Sequence, residues 1–200
     1  MAIVVVVSMV ASTLVLFAPE ASARTGSDSY GYTFKDNDES DGPVYGDEWI
    51  ELVGNEDAEL LISSSTDAGQ SAVDIGFTFE FYDNQYTTWG NGGDNGYINL
   101  GSAGISSRWT PYSIPSSYLG SAAIAGGWFD GGFCRASNPT AGVYYATIGT
   151  EPNRKLVVQY QDQGAWYPSV YQCPGTAAAN ALTWQIVLHE GTNLITANYK

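Results

Sequence analysis

Basic residues are scarce in this chain. Seven lysines and arginines stand against 21 aspartates and glutamates in 200 residues, a formal net charge of −14. No basic patch is available to neutralise phosphates, which disfavours nucleic acid and anionic membranes as partners. Histidine is nearly absent too. The single His189 supports no Ser/His/Asp or Cys/His arrangement with a spacing signature. There is no G-x-S-x-G, H-E-x-x-H, P-loop or dinucleotide fingerprint, and no amphipathic stretch of three helical turns. The expectation is a non-enzymatic chain without helices. One enzymatic alternative stays open, a carbohydrate-active protein, because paired glycosidase carboxylates are recognised by geometry rather than by spacing.

Long apolar runs are missing except at the N-terminus. There the uncharged run from Ala2 to Pro19 leads into Ala21-Ser22-Ala23, an A-x-A cleavage signal. The run is short for a spanning helix, so residues 1–23 are read as a signal peptide and no membrane span is expected in the mature chain. The run lacks a preceding Lys or Arg; retention of Ile3–Val7 as a strand or anchor is the alternative. Cysteine is limited to Cys134 and Cys173. An even count in an exported chain is most simply a disulfide, closing a loop of about 40 residues and contributing roughly 4 kcal/mol in the chain-entropy model. The localisation expected is secreted or cell surface.

What is abundant is β-sheet material: 23 Gly, 14 Tyr and 6 Trp. Val73, Ile75, Phe77, Phe79 and Phe81 alternate with Asp74, Gly76, Thr78 and Glu80, the period of a strand with one buried and one wet face. A break at Asp83-Asn84 and the turn Asn91–Gly96 separate this stretch from a second strand, Tyr97–Leu100. Further strands are expected at Trp49–Leu52, Ala122–Phe129, Gly142–Ile148, Lys155–Gln161, Leu182–Leu188 and Leu194–Tyr199, divided by Gly/Pro/Asn turns. Many short strands without helices imply an all-β fold, an antiparallel β-sandwich of jelly-roll-like type. It occupies residues 36–200 as one domain, behind a linker or disordered segment at 24–35.

Three groups of residues carry candidate sites. Asp36, Asp38 and Asp41 lie in an oxygen-rich loop; the EF-hand spacing fails, leaving a looser Ca2+ site or a solvated acidic loop. Asp83, Asp94 and Asp130 sit at turns, where such side chains mostly bond their own backbone. Trp109, Tyr112, Trp166 and Tyr167 fall in loops. They either stack on a sugar or partner protein, or fold back over the ends of the sandwich. His189 is expected on the half-exposed face of its strand with Thr183 and Gln185, opposite a buried face of Leu182, Trp184, Ile186 and Leu188.

The ordered blocks GFTFEFYDNQYTT, NGYINLG, Ile114-Pro115, AGGWFD, AGVYYATIGTEPNRKLVVQY and WQIVLHEGTN resemble a β-sandwich domain of bacterial and archaeal surface proteins, distantly similar to the extracellular nidogen-type domain. The resemblance runs from about Gly42 to Tyr199. It implies an extracellular, non-enzymatic module for adhesion, binding or assembly, with a protein or glycan at the cell surface, or a second copy of itself, as partner. Two departures stand out. Gly126-Gly127 replaces the usual Pro-Phe before Trp128, and the family pattern typically continues past the position of Lys200 into another strand or two. A missing closing strand would expose an edge, which motivates the alternative of a filament or coat subunit assembling by strand donation; a truncated sequence explains it equally. A carbohydrate-binding protein is the second alternative.

Overall fold

A computed structural model describes residues 25–43, 49–166 and 181–200. The expected signal peptide, Tyr167 and Cys173 lie outside those residues. The chain divides into two units, residues 1–45 and 46–200. In the first, β1 (Thr25–Ser27) and β2 (Thr33–Lys35) pair antiparallel, so the segment expected to be a linker forms a hairpin. Its turn is organised by one carboxylate. The N–H groups of Tyr30, Gly31 and Tyr32 donate to Asp28 Oδ1 at 3.0, 2.8 and 2.9 Å.

Among the described residues the second unit consists of strands and loops apart from one 3-10 turn at Ser117–Leu119. Four strands, β4 (Val73–Phe81), β5 (Asn84–Asn91), β6 (Tyr97–Leu100) and β7 (Ala123–Ala125), form an antiparallel meander in that order. A six-stranded sheet carries β12 (Ile195–Tyr199), β11 (Leu182–His189), β10 (Lys155–Ala165), β9 (Gly142–Ile148) and β3 (Glu59–Ile62), with β8 (Gly131–Gly132) pairing the far end of β10. The expected antiparallel sandwich is what forms.

The alternation in β4 does what its period requires. Ile75, Phe77 and Phe79 are buried while Asp74, Gly76, Thr78 and Glu80 are exposed. Tyr82 and Asp83 both adopt positive φ, 49° and 60°, and form the two-residue hairpin loop whose twist matches the flanking strands. The register follows, Phe81 opposite Asn84 and Phe79 opposite Tyr86. The inner face of β4 meets Val143, Leu156, Val158, Ile186 and Leu188 of the other sheet in one continuous core. Tyr160 and Trp184 stack within it, ring centroids 4.1 Å apart and nearly coplanar.

The six-stranded sheet is also buried on its second face, which period-two reasoning did not anticipate. Trp49–Val53 crosses that face as an extended strap outside any strand, where sequence reading expected strand material. Two cross-strand glutamines hold it. Leu52 N–H donates to Gln159 Oε1 at 3.1 Å, Gln159 Nε2 to Glu51 Oε1 at 2.7 Å and Gln185 Nε2 to Ile50 O at 2.5 Å. Leu52 packs on Ala146, Val157 and Val187 in a smaller core. His189, on the same face, is buried rather than half-exposed, its Nε2 2.6 Å from Thr196 Oγ1. Leu182 is the reverse case, expected inside but 50% exposed at the start of β11, beside the register break between Tyr160 and Gln163.

Candidate functional site

At the end of the sandwich where β3, β5 and β10 finish, the connecting loops enclose a cleft of about 250 Å3. Its wall is made of carboxylates and indoles: Asp67, Asp94 and Asp130 with Trp109 and Trp166, and Ser65 and Thr66 beside them. These come from five separate connecting segments.

Asp94 is the fixed point. Its N–H donates to Thr66 O at 3.0 Å, and Thr66 N–H donates back to Asp94 Oδ2 at 2.8 Å. Its carbonyl accepts from Gln163 Nε2 at 2.6 Å, and Gln163 Oε1 in turn accepts from Trp184 Nε1 at 2.6 Å. The core aromatic stack therefore sets the depth of the loop. Gln163 can turn inward because β10 bulges at Asp162, which adopts φ 52° and whose carboxylate accepts from Asn138 and Gln161 at 2.6 and 2.7 Å. Gly131 lies so close that a Cβ there would come within 2.2 Å of Asp94 O. Asn95 joins two walls, donating to Asp67 Oδ1 at 3.0 Å and accepting from Gly131 N–H at 3.4 Å. Trp166 N–H donates to Asp130 O at 2.7 Å.

The electrostatics are one-signed. Asp94 is 2% exposed, and its Oδ1 is buried without a hydrogen-bond partner. Burial, aided by the charges of Asp67 and Asp130 and opposed by the Thr66 N–H, pushes its carboxyl up to about 7. Burial and the Asp67 charge also raise Asp130. Among the described residues the cleft's lining contains no Lys, Arg or His. The neighbouring Arg108 is committed elsewhere. Its guanidinium lies 4.3 Å over the Tyr118 ring and its Nε donates to Tyr118 O at 2.8 Å.

The loop aromatics divide. Trp109 and Trp166 line the cleft together, 57 positions apart in the chain. Tyr112 instead packs edge-on against Tyr118 at 4.9 Å, and Tyr118 stacks on Trp128 at 6.2 Å. Asp83 stays at the β4–β5 hairpin, away from the cleft. Asp67 was not singled out by sequence reasoning; in Ser-Ser-Ser-Thr-Asp it carries no local signal. Asp94 does bond backbone, but that of Thr66 rather than of its own turn.

In the first unit, Asp41 is paired with Lys35, which holds its carboxyl low, and Asp36 Oδ1 accepts from Asp38 N–H at 3.1 Å. Among the described residues no group of three or more His, Cys, Asp or Glu is placed to share a metal ion. Cys134 follows β8, and its Sγ accepts from Ser137 Oγ at 3.1 Å.

The Gly126-Gly127 departure has a local cause. The Trp184 ring lies against both glycines, and a Cβ on Gly126 would meet it at 2.4 Å. No curated protein and no solved structure matches the chain. A family model described as NIDO related matches residues 46–200, the whole of the sandwich unit. The chain therefore belongs to this nidogen-related family.

Proposed function

We propose that this chain is a non-enzymatic extracellular binding module whose ligand seats in the acidic, indole-lined cleft. The observation that carries the reading is the convergence of Trp109, Trp166 and three aspartates on one concave site, built from loops that the core aromatics hold in position. Membership of a nidogen-related family supports the extracellular setting. The hydroxyls at the cleft are already tied to backbone. Ser65 Oγ accepts from Phe133 N–H at 2.8 Å and Thr66 Oγ1 from Ala68 N–H at 3.1 Å. No histidine or lysine lies in the lining to activate either as a nucleophile. A disulfide between Cys134 and Cys173 is part of the same proposal for an exported chain.

The test is capture of cell-surface proteins and glycans by the immobilised wild type, Trp109→Ala and Trp166→Ala. Loss of the captured ligand in both variants, with unchanged thermal transitions, supports the reading. Equal capture by all three proteins overturns it.

A further inference from the structure

The cleft carries information about the charge of its ligand. Among the described residues three carboxylates line it and no base does. Those acting on Asp94 from the facing elements, Asp67 of the β3–β4 loop and Asp130 of the loop before β8, share its sign. A neutral ligand leaves that repulsion in place; a cation relieves it. Asp94 Oδ1 is a buried polar atom of this lining with no hydrogen-bond partner, in a side chain 2% exposed.

The kind of cation follows from the geometry. A divalent metal ion requires several oxygen ligands brought together, and no group of three acidic, histidine or cysteine side chains among the described residues is so placed. A guanidinium prefers two parallel acceptors on one carboxylate. Asp94 offers one, because its Oδ2 is taken by Thr66 N–H. A compact ammonium needs only a single acceptor, and indole faces attract it through their quadrupole. A volume of about 250 Å3 accommodates such a head and part of its alkyl stem.

We propose that the cleft receives an alkylammonium group, its charge directed at Asp94 and its stem against Trp109 and Trp166. This rests on the cleft being the binding site. The group is supplied by a lysine side chain or by a free amine.

Isothermal titration calorimetry tests it with two probes, a short peptide with blocked termini and one central lysine, and cadaverine. Binding of the peptide but not cadaverine assigns the group to a protein ligand; binding of cadaverine as well assigns it to free amines. Either outcome supports the proposal, provided that Nε-acetylation of the lysine weakens binding about tenfold or more and that Trp109→Ala and Asp94→Asn each do so by about tenfold. Added salt should weaken binding further. If Asp94→Asn does not fold, Trp109→Ala and Asp130→Asn carry the test. Undiminished binding of the acetylated peptide overturns the proposal, as does tighter binding, in two control titrations, of the same peptide with arginine in place of lysine or of CaCl2, or absence of heat with every amine. A protein or glycan that is captured through Trp109 but is not displaced by amines removes the ammonium assignment alone. Capture independent of both Trp109 and Trp166 removes the binding site as well.

Discussion

The two ends of the sandwich treat their carboxylates in opposite ways. At the end where β10 begins, Glu190 is fully engaged. It accepts from Arg154 Nε at 2.9 Å, from Nη2 at 2.5 Å and from the Arg154 N–H at 3.0 Å. Arg154 Nη1 reaches across to Gly76 O at 2.6 Å, joining the two sheets. The arginine holds the Glu190 carboxyl down at about 2. At the end where β10 finishes, Asp94 has one oxygen bonded and one not, and sits at about 7. A carboxylate with its own cation is structural furniture. One kept dry among like charges is destabilising for the fold, and that is the pattern expected where an external group completes the site.

The largest expected effect concerns the disulfide proposed between Cys134 and Cys173. Cys134→Ser, or reduction, should lower stability by roughly 4 kcal/mol if Cys134 and Cys173 are bonded. Denaturant melts with and without reductant measure it, and no difference removes the disulfide. Gly131→Ala comes next. Its Cβ is driven against Asp94 O and Gln163 Nε2, a clash expected to cost about 1–3 kcal/mol and to reduce ligand capture together with stability.

The pH profile then compares the two ends directly. Glu190 titrates at about 2 in the folded chain against an ordinary 4.5. Its stabilisation is complete above the ordinary value and is lost as pH falls towards 2. Asp94 runs the other way, at about 7 against 3.8. The folded state keeps a proton that the unfolded chain has released, so stability falls as pH rises through that window. Together they place a stability maximum roughly between pH 4 and 5, measurable as Tm against pH. Arg154→Ala should lower the maximum and shallow the acid limb, and Asp94→Asn should shallow the limb on the neutral side. If Asp94→Asn leaves that limb unchanged, the contrast between the ends is wrong. The smallest effect on the fold belongs to Trp109→Ala. This 40% exposed side chain should change stability by no more than about 0.5 kcal/mol while abolishing most ligand capture.

The sheet strands were legible where burial is one-sided. The β4 alternation and the strands at Gly142–Ile148 and Lys155–Gln161 were read close to their observed bounds because each pattern is local. The strap was not, since Leu52, Gln159 and Gln185 only make sense as a group once β10 and β11 lie side by side. His189 was misplaced because alternation alone does not show that this face of β11 is buried as well. The cleft was half legible. Trp109 and Trp166 stood out as loop aromatics and Asp94 and Asp130 as turn acids, but nothing in the spacing brings Thr66 and Asp67 to Asp94. Their meeting depends on the β10 bulge and on Gln163, features of the tertiary packing.

The strap has a consequence for the order of events in folding. Leu52 and Gln159 are separated by 107 positions, and the surface that receives Leu52 does not exist until β10 has paired with β9 and β11. Closing so long a loop is entropically slow, so the strap docks after the sheet has formed. It is held largely by side-chain amides rather than a strand ladder, and should open first. In hydrogen exchange, the Leu52 amide should lose protection ahead of the β10 amides beneath it.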